Sequence, residues 1–291
     1  MFEYLLAQAV TQSLAIVPRS AAEKLARLYT RLLDLAIPRL RRSAMRNLAL
    51  AFPERSANEH AAIVDEVFRN IARVLVALAK FPQLTKTNIH DWIRYEGYEH
   101  FERALELGKG VLFATAHLGN WELSAFSHAL MSRPMHIVVR PLDNPRIDAL
   151  VSRRRAASGN HLIGKKDFAR SILQALKANE AVGILVDQNA GLSDGVFIDF
   201  FGVRACAGAG FAKIAAHSGA TVIPGFALWS EQERKYILRF YPPLAITGNV
   251  AQDTQALHAR IESVIREYPG QWLWLHRRWK TRPPGMPDLY V

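Results

Sequence analysis

The chain contains one cysteine, Cys206, in 291 residues. No internal disulfide can form, so the fold does not depend on an oxidising compartment, and C-x-x-C zinc or thioredoxin motifs are impossible. Long apolar runs are missing as well. The longest uncharged stretch near the start, Tyr4 to Pro18, contains Gln8, Thr11, Gln12 and Ser13, whereas a spanning helix needs about 20 mostly apolar residues. It also makes a poor secretory signal, because Glu3 stands where a positive n-region belongs and no small-residue cleavage site follows. An interfacial helix is the expectation. Internal repeats, low-complexity tracts and a domain-separating linker are absent too. Acidic residues are short: 26 Asp+Glu against 37 Lys+Arg give a formal charge of +11. Such an excess points to an acidic partner, which composition alone leaves open between nucleic acid, an anionic membrane and an acidic ligand.

Half of the residues are apolar and 22% are charged, which excludes a disordered or collagen-like chain. Apolar residues at helical spacing (Leu25, Leu28, Tyr29, Leu32, Leu33) predict an amphipathic helix after residue 20, ended by Pro38. Ser56 is placed to cap a second helix over 58–79 that carries Ile63, Val67, Ile71, Val74, Leu75 and Leu78 on one face. Residues 1–90 are therefore expected to form a helical, membrane-associating portion.

From Trp92 onward, short β-branched runs alternate with helical segments. Gly110–Thr115 is uninterrupted and apolar, as a strand buried on both faces should be. Runs at 136–139, 181–186 and 221–228 repeat it, with helices expected at 121–131, 144–158, 167–179, 206–218 and 253–267. Lys235–Phe240 suggests a late, antiparallel edge strand. This alternation predicts an α/β fold over 91–291, a mostly parallel central sheet flanked by helices and continuous with the N-terminal helical portion.

In such sheets ligands gather at the carboxyl ends of the strands. The first run leads into Ala116-His117-Leu118-Gly119-Asn120-Trp121-Glu122. Along one continuous helix His117 and Glu122 would lie about 140° apart, so the turn between them, capped by Asn120, has to bring them together. A histidine held by a carboxylate on one nitrogen keeps the other as a general base; the alternative is a buried histidine satisfied by its neighbour. No G-x-S-x-G elbow occurs, and Cys206 sits in a small-residue segment and is assigned a structural role. A base without an enzymic nucleophile implies that a substrate attacks. The second run ends in Arg140-Pro141, where a planar guanidinium suits a phosphate or carboxylate. The third ends in Asp187-Gln188-Asn189, with Asp187 orienting Arg140 or the substrate, or capping a turn. Residues 195–202 are expected to form a glycine-bounded loop unusually rich in aromatics, and its Phe200 and Phe201 point either to acyl-chain or bilayer contact or to a core plug. Basic clusters at 39–46, 153–155, 165–166 and 276–282 accompany amphipathic helices and the tryptophans Trp272, Trp274 and Trp279, a combination suited to a membrane boundary. No nucleic-acid motif is present, so nucleic acid is not an expected partner.

The combination resembles the lipid A biosynthesis late acyltransferases (lauroyl and myristoyl transferases) of the lysophospholipid acyltransferase superfamily. The resemblance rests on Arg46-Asn47-Leu48 with Ala51-Phe52-Pro53-Glu54, on H-x4-E from His117 to Glu122, and on Arg140-Pro141 with Asn144-Pro145. Asp187-Gln188, Phe200-Phe201-Gly202 and the tail from Tyr268 to Lys280 complete it. It implies a glycerolipid-acyltransferase-like fold. It also implies transfer of a fatty acyl group from acyl-carrier protein, or coenzyme A, to a hydroxyl of a membrane lipid at the cytoplasmic face of the bacterial inner membrane, without cofactor or metal. His117 would be the general base, Glu122 its partner, and Arg140 part of a phosphorylated-acceptor site, with Asn120, Asp187, Gln188, Phe200 and Phe201 as further substrate contacts. Backbone N–H groups near Asn120, at a helix start, are suited to an oxyanion. The acceptor stays open between a lipid A precursor and another amphiphile, and hydrolysis of a thioester or lipid ester remains the rival activity.

Overall fold

Patterning and capping shape the N-terminal part. In the computed structural model, which describes residues 1–164 and 168–290, the chain opens with helices α1 (Phe2–Ile16), α2 (Arg19–Ala36), α3 (Pro38–Ala51) and α4 (Ala57–Lys80). Pro38 ends one helix and opens the next at its first position, where its missing N–H costs nothing. Ser56 caps α4 in a reciprocal box with Glu59. Among the described residues no helix is long and apolar enough to cross a membrane.

The remaining elements are β1 (Ile93–Glu96), α5 (Glu99–Glu106), β2 (Val111–Thr115), α6 (Trp121–Met131), β3 (His136–Val138), α7 (Pro145–Ala156), β4 (His161–Ile163), α8 (Phe168–Lys177), β5 (Ala181–Leu185), β6 (Gly195–Phe200), β7 (Val203–Gly208), α9 (Gly210–Ser218), β8 (Thr221–Ser230), β9 (Lys235–Phe240) and α10 (Val250–Glu267). Seven strands form one sheet in the order β1-β9-β8-β2-β5-β3-β4. The five from β8 to β4 are mutually parallel, and the β9–β1 pair runs antiparallel to them. The expected α/β architecture with a mostly parallel sheet is present. Residues Val111 to Ala114 of the central strand β2 are all buried, as an uninterrupted apolar run requires.

Four details differ from the sequence expectation. Lys235–Phe240 is antiparallel to β8 but does not lie at the edge, because the short β1 pairs along its outer side. The segment 195–202 is not a loop. It forms β6 and closes a hairpin with β7 through Phe201 and Gly202, both at positive φ, the combination of a two-residue type I′ turn. The helix expected from Cys206 begins only at Gly210, since Cys206 still belongs to β7. Trp272, Trp274 and Trp279 are 2%, 0% and 0% exposed, so they pack the core instead of facing a membrane boundary. The start expected for α8 at Asp167 and the Lys165-Lys166 pair lie outside the described residues.

The buried side chains explain this packing. One continuous cluster runs from Leu48 of α3 and Val67 of α4, through Leu112 and Ala114 of β2, to Ile261 of α10 and the tail tryptophans. The opposite face of the sheet packs Phe113, Phe126, Tyr236 and Phe240 beneath α5 and α6. Helices α3 and α4 thus share a core with the sheet, while α1 and α2 pack on α4 in a cluster of their own around Leu14, Ala22, Ala26 and Val76.

Candidate active site

Strand register builds the centre of the site. Thr115 of β2 pairs with Leu185 of β5 in a parallel ladder. Two residues further along each chain, past the strand ends, His117 and Asp187 meet. The His117 backbone N–H donates to Asp187 Oδ2 at 3.0 Å, and His117 Nδ1 lies 2.9 Å from Asp187 Oδ1. Because the ionised carboxylate can only accept, Nδ1 carries the proton and Nε2 presents its lone pair. Trp272 Nε1 donates to Asp187 Oδ2 at 2.7 Å. Burial works to raise the pKa of Asp187, but the His117 charge and hydrogen bond, the Trp272 N–H and the His117 backbone N–H hold it at about 2. Burial likewise pushes His117 down, yet the Asp187 charge and hydrogen bond prevail and its pKa ends above the ordinary histidine value. The result is a permanently ionised carboxylate behind a strengthened imidazole base.

Glu122 does not make the contact with His117 expected of it. Its two oxygens accept from Arg155 Nε at 2.8 Å and Nη2 at 2.6 Å, a bidentate, largely buried pair of the kind that fixes geometry. The physical reason is position: Glu122 lies in the first turn of α6 facing α7, whereas Asp187 leaves the neighbouring strand level with His117. Glu122 still acts on His117 at a distance, its charge helping to raise the imidazole pKa.

The turn between His117 and α6 is held on all sides. Gly119 has φ +65°, and a Cβ there would stand 1.9 Å from the Ala227 carbonyl oxygen, so only glycine fits. Gly119 N–H donates to the Gln271 carbonyl and Asn120 N–H to that of Ala227. Asn120 caps α6 as expected, its side chain accepting from Leu123 N–H at 3.0 Å. Asn70 of α4 donates to the Gly119 and Gln271 carbonyls. The amides of Gly119 and Asn120 are thus already used, which removes the oxyanion role expected next to Asn120 from those two groups. The first-turn amides of α6, at Trp121 and Glu122, have no intrahelical acceptor.

A cavity of about 570 Å³ opens at His117 and extends between α6 and the sheet. Its rim carries His117, Glu122, Arg155, Arg140 and Gln188, and its interior is lined by residues such as Phe113, Phe126, Met135, Ile137 and Phe240. Two strand glycines widen it. At Gly225 a Cβ would come into van der Waals contact with Phe240 and Phe113 at 3.6 and 3.9 Å, and at Gly183 a Cβ would press on Met135 Cε at 2.7 Å. Two buried polar groups on its wall, the Thr115 hydroxyl and His128 Nε2, have no partner among the described residues. Burial depresses His128 to about 3, so it stays neutral there, with Nδ1 3.0 Å from the Tyr95 hydroxyl.

Arg140 and Gln188 are exposed and line the cavity. Phe200 and Phe201 are not at the cavity. They are 0% and 5% exposed and pack against Trp272, Phe52 and Trp274, which corrects the substrate-contact expectation for both. Cys206 is buried, and burial raises its thiol pKa, as a structural cysteine should show. No group of three His, Cys, Asp or Glu side chains suited to a metal ion occurs among the described residues.

Comparison with known proteins gives concordant matches. Residues 2–281 match the model of the family described as bacterial lipid A biosynthesis acyltransferase. The chain is 31% identical to a lipid A biosynthesis palmitoleoyltransferase of Escherichia coli, over 91% of this chain and 87% of that protein. It is 32% identical to a lipid A biosynthesis lauroyltransferase of the same organism, over 84% and 80%. A lipid A biosynthesis myristoyltransferase, also of E. coli, is 25% identical over 86% and 78%.

Proposed function

The chain belongs to the bacterial lipid A biosynthesis acyltransferases, and from that premise we propose that it moves a fatty acyl group from an acyl-carrier-protein or coenzyme A thioester to a hydroxyl of a lipid A precursor, with His117 as general base. The observation that carries this reading is the His117–Asp187 pair opening, through a free Nε2, onto an apolar cavity with arginines at its rim. The acyl chain occupies the cavity and leaves its thioester carbon beside His117. The acceptor hydroxyl gives its proton to Nε2 as its oxygen attacks that carbon. The tetrahedral intermediate then expels the thiolate, which takes the proton back from the imidazolium and leaves as a free thiol. Asp187 stays ionised throughout, holding the tautomer and stabilising the transient imidazolium. Trp121 or Glu122 N–H, at the start of α6, serves the oxyanion. Glu122 fixes Arg155 beside the reacting centre, and Arg140 grips an acceptor phosphate.

The site of action is the cytoplasmic face of the inner membrane, by peripheral docking. Phe2, Leu5, Leu6 and Ile16 lie on one face of α1 and are 78%, 55%, 54% and 82% exposed. On α2, Leu28, Leu32 and Leu35 are exposed among Lys24, Arg27 and Arg31. Apolar side chains interleaved with cations suit an anionic bilayer surface, where each Lys or Arg contributes about 1 kcal/mol.

The test is acyl transfer by His117→Ala, with lipid A precursor as acceptor and acyl-carrier-protein and coenzyme A thioesters as alternative donors. Loss of the base should lower turnover at least ~10²-fold. A folded variant with near-normal turnover would overturn the mechanism, and fatty-acid release without acceptor would assign the site to hydrolysis.

A further inference from the structure

A second concavity of about 320 Å³ lies between α1 and α7, lined by Tyr4, Arg146, Ala149 and Arg153. Its α7 side follows from helical spacing: 146, 149 and 153 fall on one face, and the small Ala149 leaves a gap between two guanidinium groups. Neither arginine forms an ion pair among the described residues. Among the described residues the Arg146 guanidinium bonds to the Met1 sulfur and lies over the Tyr4 ring, and Arg153 bonds to the Ala149 carbonyl of its own helix. Two acidic neighbours are already engaged: Glu3 accepts from Asn144 Nδ2 at 3.0 Å, and Asp148 from Leu142 N–H at 2.9 Å. The groove thus carries two guanidinium groups without a carboxylate in direct contact among the described residues, and a tyrosine side chain, near the exposed Phe2 and Leu5.

We propose that this groove binds the anionic phosphate headgroup of a bilayer lipid, as a site separate from the catalytic cavity. The inference rests on the reading that α1 docks on a membrane. With Phe2, Leu5 and Leu6 inserted, the groove is held at headgroup depth, where a guanidinium pair matches a phosphate. The Glu3–Asn144 bond ties α1 to the start of α7, immediately after the Arg140–Asp143 stretch of the cavity rim. A lipid held here therefore keeps the mouth of the cavity against the bilayer.

The experiment is vesicle co-sedimentation of the full chain with mixed phosphatidylglycerol–phosphatidylcholine vesicles and with pure phosphatidylcholine vesicles. Arg146→Gln/Arg153→Gln should bind the mixed vesicles about thirtyfold more weakly than wild type, from roughly fivefold per arginine, and pure phosphatidylcholine equally well. Lys109→Gln/Lys177→Gln removes the same charge at the opposite, amino-terminal edge of the sheet, where both lysines are exposed, and should lose far less. Equal losses in the two double variants, or none in the first, would overturn the site. Phe2→Ser/Leu5→Ser should weaken binding to both vesicle types. If it does not, the docking reading itself fails, whatever the arginine variants do.

Discussion

Asp187→Asn separates the two carboxylates near the imidazole. The substitution keeps the shape but removes the charge behind Nδ1 and lets an amide N–H face it, favouring the wrong tautomer. The wild-type carboxylate sits at about 2 instead of 3.8 although fully buried, so its partners favour the ionised form by about 2 kcal/mol net of the burial cost. A hydrogen bond to a charged group contributes about 1.5–3 kcal/mol, and general-base catalysis as a whole about 10²–10⁴-fold. The expected fall in kcat/KM therefore lies between about tenfold and 10⁴-fold, nearer the upper figure if the tautomer is lost completely.

The pH profile carries a sharper signature than the rate. In the wild type Asp187 outweighs burial and holds His117 above its ordinary 6.5, so activity should rise with pH along an acid limb centred above that value. Without the Asp187 charge the burial contribution remains, and the acid limb of the residual activity should move below 6.5. The linked stability moves in the matching sense. A histidine whose pKa is raised by folding stabilises the wild type most below the unfolded value, and that contribution is lost as pH rises through the folded one; in Asp187→Asn the burial that remains should reverse the sign, so that the imidazole costs stability as pH falls below the unfolded value. Measuring kcat/KM from about pH 4.5 to 8.5 for both proteins decides the matter, a span of about two units on either side of the ordinary value. An unshifted acid limb in Asp187→Asn, or a larger defect in Glu122→Gln than in Asp187→Asn, would refute the assignment of Asp187 as the partner of His117.

Two other substitutions test the cavity and the hairpin. Gly225→Leu adds a branched side chain on the cavity wall against Phe240 and Phe113 and should shift donor preference toward shorter acyl chains, with shorter thioesters retaining wild-type turnover; a uniform loss across chain lengths would place the acyl group elsewhere. Phe200→Ala removes a fully buried ring from among Trp272, Trp279 and Phe201 and should cost about 3–5 kcal/mol of stability. In chemical denaturation it should unfold earlier while keeping its acyl-chain preference; a changed preference in a stable variant would restore the substrate contact that the structure denies to Phe200.

The sequence made the positions of strands and helices legible but not who stands beside whom. The apolar runs at 110–115 and 181–186 were identifiable by composition, yet nothing in either says that they are neighbours in register. That single fact makes Asp187, 70 residues away, the partner of His117 in place of Glu122, five residues away in sequence. The tryptophans misled for a related reason. Their indole rings and adjacent arginines fit a membrane boundary as well as a core, and only the path of the tail under β6 and β7 decides for the core. The hairpin was visible in part: Ile198 and Phe200 are buried and Asp199 exposed, an alternation of period two that the density of aromatics concealed. Buttresses such as Asn70 and Gln271 leave no sequence signal, since a single amide bonding to a distant carbonyl has no local pattern.

The charge of +11 divides into two populations once its residues are placed. Some arginines are consumed by the fold. Arg278 is fully buried and donates to the Cys206 carbonyl, Arg154 closes the Leu78 and Ala79 carbonyls at the end of α4, and Arg41 bridges Asp34 and Asp65. These were parts of the basic clusters that suggested a membrane face, and they are unavailable to a partner. Loss of Arg278 or Arg154 should cost stability with little dependence on salt, because their partners are neutral backbone carbonyls, whereas the Arg41 pair with the exposed Asp65 should weaken as salt is raised. The second population, Lys24, Arg27 and Arg31 on α2 with Arg146 and Arg153 on α7, is exposed and borders the apolar faces of α1 and α2. Membrane binding should therefore track these few residues and not the net charge. Raising ionic strength from ~0.05 to ~0.5 M shortens the screening length about threefold; it should release the protein from anionic vesicles to the extent that the exposed set alone dictates, and binding that survives it unchanged would mean that the apolar faces dock without electrostatic help.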